Sequence, residues 1–281
     1  MKTKSSISDH PVMFAVLCAL VVVFLTPIFF IILNSFKGKL YISDNPFTLP
    51  TGEMFVGLEN YTEGIRKTGF LAAFGWSAFI TVFSVLVIVL FTSMTAWYIT
   101  RVKSKLTNGL YYMFVFSMVV PFQMIMFTMS KLADMLHLNN PVGMVLLYLG
   151  FGAGLSVFMF CGFVKGIPYE IEEAAMIDGC SPLQTFFQIV MPILKPTAIT
   201  VAILNAMWIW NDYLLPYLVI GVSTPYKTIP VTVQYLMGSY GAKDYGSLMA
   251  LLVLAIIPII VFYLSCQKYI IEGVVAGAVK G

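Results

Sequence analysis

The chain has 281 residues, of which 59% are hydrophobic and 10% charged, against roughly 25% charged in a soluble domain. That balance excludes an ordinary soluble fold and predicts an all-α integral membrane protein. A net charge of +3 is too small to point to nucleic acid. With only His10 and His137, a histidine-based metal site or triad has almost nothing to draw on. The cysteines at 18, 161, 180 and 266 are scattered and read as small buried hydrophobes, not as a disulfide framework or metal site.

A helix needs about 20 apolar residues to cross the hydrocarbon core. Six stretches qualify, at about 12–33, 74–99, 109–130, 142–164, 197–221 and 246–267. The first follows Lys2 and Lys4 like a signal peptide. Its 22-residue run is longer than the ~7–15 residues of a signal core, and no small-x-small cleavage site follows. It reads as an uncleaved span after a short N-terminus, 1–11.

The segment 34–73 is turn-rich, with Asp44-Asn45-Pro46 and Pro50-Thr51-Gly52. A short amphipathic helix at about 61–68 is expected in it, with Asn60 as its cap and Glu63 reaching back. Arg101, Lys103 and Lys105 crowd the turn after span two, whereas the turn after span three has only Lys131. Basic short loops mark the cytoplasmic side. Both termini, the 100–108 loop and the 165–196 loop are therefore expected inside, with 34–73 outside.

Span four ends near Val164, and Gly166-Ile167-Pro168 breaks it. Pro168 suits the first turn of a new helix, and Glu170, Glu172 and Glu173 follow where the helix dipole favours acids. Gly179 suits a left-handed C-terminal cap. Ser181-Pro182 restarts a second helix, which Pro192 and Pro196 are expected to end before span five. The product is a polar helix-turn-helix between two spans. Ile171, Ala174 and Ala175 fall within one turn and are expected to share a flat face. That face suits either docking of another protein or packing on the chain's own bundle.

Glu173, Ala174, Ala175, Gly179, Ile189 and Pro192 match the EAA loop of permease subunits in ATP-binding-cassette importers, with Met191 in place of the usual Leu. The resemblance extends to Gly57-Leu58-Glu59-Asn60-Tyr61, Val120-Pro121-Phe122-Gln123, Trp210-Asn211-Asp212-Tyr213-Leu214-Leu215-Pro216 and the C-terminal 272–281. The chain is similar to the shorter permease of maltose-type carbohydrate importers.

The resemblance implies a type I importer permease of six transmembrane helices. A single domain, 12–281, would hold the external loop 34–73, the coupling loop 165–196 and a cytoplasmic tail 268–281. Its partners would be a second homologous permease, an ATPase dimer that alone holds ATP and Mg, an extracytoplasmic sugar-binding protein and the lipid of a bacterial inner membrane. The matched EAA residues would couple to the ATPase, and Gly277, Lys280 and Gly281 would lie in the tail that reaches the ATPase interface. By composition that tail also reads as a frayed terminus. No cofactor is expected on this chain.

Asp212 lies well inside an apolar span, where a charge costs roughly 2.5–3.5 kcal/mol on insertion scales and is expected to face a wet or internal surface. Asn205, Trp208 and Asp212 fall on one face of a helix, while Trp210 and Asn211, near them in sequence, point elsewhere. They are candidates for a sugar path or for a structural polar cluster. The clustered methionines of span three read as adaptable packing, and Gly150-x3-Gly154 and Gly162-x3-Gly166 permit close helix approach.

No phosphate-binding Gly-x4-Gly-Lys-Ser/Thr loop is present, so ATP must be handled by another chain. A membrane enzyme finds no His-Glu-x-x-His or Gly-x-Ser-x-Gly to work with. An ion-coupled secondary transporter would need internal repeats and broken helices with coupling residues, and only Asp212 offers itself. A permease for sugars or oligosaccharides working by alternating access fits best, with a polyol or glycerol phosphate permease as the alternative.

Overall fold

The computed structural model describes residues 11–221, 224–237 and 244–278. In chain order the helices are α1 (Pro11–Ser35), α2 (Lys39–Asp44), α3 (Glu59–Thr68), α4 (Phe70–Arg101), α5 (Lys105–Ser117), α6 (Phe122–Met135) and α7 (Pro141–Val164). Then come α8 (Tyr169–Ile177), α9 (Pro182–Thr185), α10 (Met191–Asn211), α11 (Leu214–Pro216), α12 (Ile229–Tyr235) and α13 (Tyr245–Ala278). Among the described residues the only extended pairing is a single bridge between Lys37 and Phe55.

Among the described residues five helical runs are long and apolar enough to cross a membrane: α1, α4, α7, the run Pro182–Asn211 and Tyr245–Tyr269 of α13. The expected third span is not a straight helix. It consists of α5 and α6, bent by 107° at a break of a few residues. Pro121 causes the break, since it lacks an N–H and disfavours the α region for Val120. The expected fifth span differs too, because its helix stops at Asn211 and Asp212 is extended, with φ −70° and ψ 124°.

Prolines also act differently from expectation after the hairpin. Pro192 and Pro196 do not end a helix. The chain runs from α9 through one wide π-helical turn, Phe186–Val190, into α10, which contains both prolines. In that turn the Met191 N–H bonds back to the Phe186 carbonyl. Pro192 then follows directly inside a helical run that is continuous from Pro182 to Asn211, with the wide turn placed just before it.

The chain divides into two compact units. One consists of residues 11–70 and 232–258. In it the turn after α1 is held by side chains that bond backbone carbonyls. Lys37 is fully buried, and its Nζ donates to the Asn45 carbonyl at 2.7 Å. Burial pushes that ammonium's pKa down. Helix α3 forms as expected but starts at Glu59 with Leu58 as its cap. Asn60 does not cap it: its amide donates to the carbonyls of Ser35 and Lys37, each at 2.8 Å. Glu63 pairs with Lys67 instead of reaching back.

The other unit consists of residues 71–231 and the second half of α13. Its centre is α7, which packs on α5 and α10 and buries Tyr148, Phe160 and Val164. Close approach is set by Gly152 and Gly154. A Cβ on Gly152 would lie 2.7 Å from Ile88 and from the Asn205 side chain, and one on Gly154 would lie 2.9 Å from the Phe114 carbonyl. The Gly-x3-Gly spacing is not the device, because Gly150 and Gly162 face open space. Of the cysteines only Cys161 is buried; Cys180 and Cys266 are half-buried and Cys18 is exposed.

Candidate functional site

The segment between α7 and α10 is a helical hairpin. Pro168 caps α8 from outside, and the helix ends in a Schellman closure: Gly179 N–H bonds to the Met176 carbonyl and Cys180 N–H to that of Ala175. Gly179 has φ +88° with nothing within 4 Å of a Cβ, so backbone conformation, not space, selects glycine there. Helix α9 opens on a reciprocal capping box, in which the Ser181 hydroxyl accepts from Gln184 N–H and Gln184 Oε1 accepts from Ser181 N–H at 2.8 Å.

The inner face of α8 is not the expected one. Glu172 and Ala175, one turn apart, are buried. Ile171, Ala174, Met176 and Ile177 are exposed, Ile177 at 86%. Ala175 therefore parts company with Ile171 and Ala174: it gives α8 a close seat on its own unit, and Ala174 supplies the bare outer surface. Glu173 and Pro192 are exposed and Ile189 is half-buried.

Glu172 is the feature that sequence reasoning missed. Arg101, at the end of α4, donates from Nε at 3.0 Å and from Nη2 at 2.6 Å to Glu172 Oε1. Trp97 Nε1 donates to Oε2 at 2.9 Å. The same Arg101 Nη2 reaches the Ile167 carbonyl at 2.9 Å, and the guanidinium lies 5.7 Å from the centre of the Tyr169 ring. Trp97 also packs on Phe186, 5.5 Å between centroids, tying in the other limb of the hairpin. The signal was present: Trp97 and Arg101 are one turn apart on α4, and Glu172 shares a helical face with Ala175.

In the same unit a cavity of about 340 Å³ is lined by Met118, Phe122, Phe151, Leu204, Asn205 and Trp208, among others. Two of the expected path residues, Asn205 and Trp208, are brought together there. Asn205 is anchored by its amide to Ser156 and to the Val201 carbonyl. Asp212 is not in the lining. Its Oδ1 accepts from Leu214 N–H and its Oδ2 from the Tyr148 hydroxyl, and the Tyr148 ring meets Trp208 edge-on at 5.4 Å. Asn211 bonds the Met207 carbonyl and stays exposed. Trp210 packs on Phe74.

At the C-terminus Gly277 continues α13, which runs as helix to Ala278. Lys280 and Gly281 lie outside the described residues.

Residues 88–275 match the family described as binding-protein-dependent transport system inner membrane component. The chain belongs to that family. The match takes in the whole hairpin, the Arg101–Glu172 pair and the cavity, and it begins beyond α1–α3.

Relatives of this inner membrane component cover nearly its whole length. It is 41% identical over 256 residues to the probable starch degradation products transport system permease protein AmyC of Thermoanaerobacterium thermosulfurigenes, covering 91% of this chain and 92% of the relative. It is 36% identical to the multiple sugar-binding transport system permease protein MsmG of Streptococcus mutans, over 92% and 93% of the two chains. Its fold matches a chain of a bacterial ABC transporter involved in import of the polysaccharide alginate, with TM-score 0.77 at 21% identity, over 94% of this chain and 98% of that one. The protein is thus a membrane-embedded transport permease and not an enzyme.

Proposed function

We propose that this permease is one of two homologous membrane subunits of an ATP-driven, binding-protein-dependent importer for sugars or oligosaccharides. The observation that carries the reading is the α8–α9 hairpin. It is pinned to the bundle on one side through Glu172 and presents Ile171, Ala174, Met176 and Ile177 on the other. A nine-residue helix held against the bundle between two spans is a lever for a partner. In this reading the partner is an ATPase dimer, which holds the ATP and Mg, and the side that carries the hairpin and both termini is cytoplasmic.

ATPase closure pushes the hairpin, and the spans rock from inward- to outward-facing. An extracytoplasmic binding protein then delivers sugar to the open side, and hydrolysis resets the structure. Glu173, Ala174, Gly179 and the tail with Gly277, Lys280 and Gly281 belong to the ATPase side. The cavity beside Trp208 and Asn205 belongs to the solute path, since an aromatic face stacks on a pyranose and an amide bonds its hydroxyls. The sugar class is supported by the relatives, whose names specify starch degradation products and multiple sugars.

The test is gentle affinity purification from the native membrane, followed by mass spectrometry. Recovery of a second permease, an ATPase with a phosphate-binding loop and a solute-binding protein is the expected result. Maltotriose uptake into proteoliposomes is then assayed with and without ATP. Uptake by this chain alone, without ATP, would overturn the proposal.

A further inference from the structure

We infer that Arg101 and Glu172 are positioning residues that make the cytoplasmic end of α4 and the coupling helix α8 move as one body; this rests on the importer reading above. The inference starts from how little else holds α8. It is nine residues long and buries only Glu172 and Ala175. A helix of that length is marginal on its own, and an alanine contributes little apolar area. The Glu172 carboxylate fills the gap with three donors from two residues of α4: Nε and Nη2 of Arg101, and Nε1 of Trp97. The Glu172 side chain is 2% exposed and that of Arg101 16%.

Stability alone does not account for the choice. Burying an ion pair costs several kcal/mol of desolvation per ion, and a well-packed apolar replacement is often equally stable or more so. What an apolar contact lacks is direction. Charge-assisted hydrogen bonds fix angle as well as distance, and here they act on both ends of the short link: Arg101 holds the Ile167 carbonyl before α8 and the carboxylate within it. A load on the exposed face of α8 is therefore delivered to the last turn of α4. That helix has 32 residues, about 48 Å at 1.5 Å per residue, enough to carry the displacement across the membrane. An apolar pair at 101 and 172 would let α8 slide under the same load.

The experiment uses the assembled complex with the four native cysteines replaced and spin labels at Tyr98 on α4 and Glu170 on α8. Both positions are exposed, and neither is among the residues that α8 presents to the ATPase. Distances are measured by pulsed electron resonance without nucleotide and after trapping with ATP and vanadate. In the parent protein the 98–170 distance is expected to stay the same in both states. In the Arg101→Met/Glu172→Leu double variant a nucleotide-dependent shift of several ångströms is expected, and Arg101→Lys, which keeps the charge, restores most of the invariance. A purely structural role would change the distance equally with and without nucleotide.

A shift in the parent, or invariance in the double variant, overturns the inference while leaving the importer reading in place. Should the double variant fail to assemble, Glu172→Gln carries the same comparison. A complex that contains no ATPase overturns the importer reading, and this inference with it.

Discussion

Tyr148 donates its hydroxyl hydrogen to Asp212 Oδ2 at 2.9 Å, joining α7 to the point where α10 breaks. The other carboxylate oxygen accepts the Leu214 N–H at 3.0 Å and so starts the turn of α11. Asp212 therefore holds a break in the span and orders Trp208 through the Tyr148 ring; it does not itself line the cavity. Tyr148→Phe leaves one half-buried carboxylate oxygen without this partner, a loss of about 1 kcal/mol. The expected outcome is a lower unfolding temperature in detergent, with the sugar concentration for half-maximal uptake unchanged. Trp208→Ala, which removes a cavity wall, is expected to raise that concentration. An uptake affinity altered more by Tyr148→Phe than by Trp208→Ala would show that Asp212 meets the solute.

Gly179 offers a sharp separation of backbone from packing. Its φ is +88°, and a Cβ would meet nothing within 4 Å. Replacement by valine therefore costs backbone strain alone, about 1–2 kcal/mol on the scale of left-handed L-residues, concentrated in the turn between α8 and α9. Insertion and recovery of the protein should be normal, while uptake per ATP hydrolysed should fall at least tenfold. Gly179→Asn, which tolerates the left-handed region better, should retain an intermediate value. Equal uptake by all three proteins would remove the turn from the coupling role.

The fold was legible wherever one physical requirement dominated. Apolar length marked α1, α4, α7 and the apolar stretches of α10 and α13, and glycine at 179 marked the left-handed closure of α8. It was less legible where a proline had two uses. Pro121 breaks a span by 107°, while Pro192 and Pro196 sit inside a helix that a π-helical turn has already adjusted. Nothing local to these three residues separates the cases, because the outcome depends on which neighbours take up the freed carbonyls. The helical hairpin that carries the proposed coupling residues was legible from the Pro168, Gly179 and Ser181-Pro182 signals in the chain. For the Arg101–Glu172 pair the sequence showed each member on a usable helical face but not that they meet, since 71 positions separate them and each has a satisfactory local explanation, a basic short-loop charge in one case and a helix-dipole acid in the other.

Asp244 and Lys67 separate charge from capping in the smaller unit. Lys67 Nζ lies 3.0 Å from Asp244 and also pairs with Glu63. The hydrogen bond to Glu63, then that to Asp244, holds the Lys67 ammonium above its ordinary value of 10.5. Burial at Asp244 works against its charge, but hydrogen bonds from Lys67 and Ser247 together outweigh it and keep the carboxyl below its ordinary 3.8. A depressed acid contributes stability that is present above its unfolded value and lost as pH falls through the folded one; a raised lysine contributes stability present below its unfolded value and lost as pH rises through the folded one. The contribution is thus constant between 3.8 and 10.5 once clear of both ends. The ion pair is largely solvated and worth about 0–1 kcal/mol, whereas Asp244 also caps α13 by accepting the Ser247 N–H at 3.1 Å, worth about 0.5–2 kcal/mol. Asp244→Ala is therefore expected to raise amide exchange in the first turn of α13 more than Lys67→Met does. The opposite order would assign the junction to charge instead of capping.

Gly150 and Gly154 stand one turn apart on α7 and predict opposite signs for the same substitution. A Cβ at 154 would approach Ser117 Oγ to 2.6 Å and the Phe114 carbonyl to 2.9 Å; at 150 it would meet nothing within 4 Å. The backbone carbonyl cannot swing aside as a side chain does, so Gly154→Ala must push α5 away from α7, an overpacking cost of about 1–3 kcal/mol. Gly150→Ala incurs no such clash and restricts the unfolded chain, a gain of about 0.5–1 kcal/mol for a helix interior. Thermal unfolding of the two variants in one detergent reads the difference directly, with one transition below the parent and one above it. Equal losses at both positions would mean that Gly150 is packed against another subunit in the assembled protein, and the Gly-x3-Gly spacing would then regain its role as an interface.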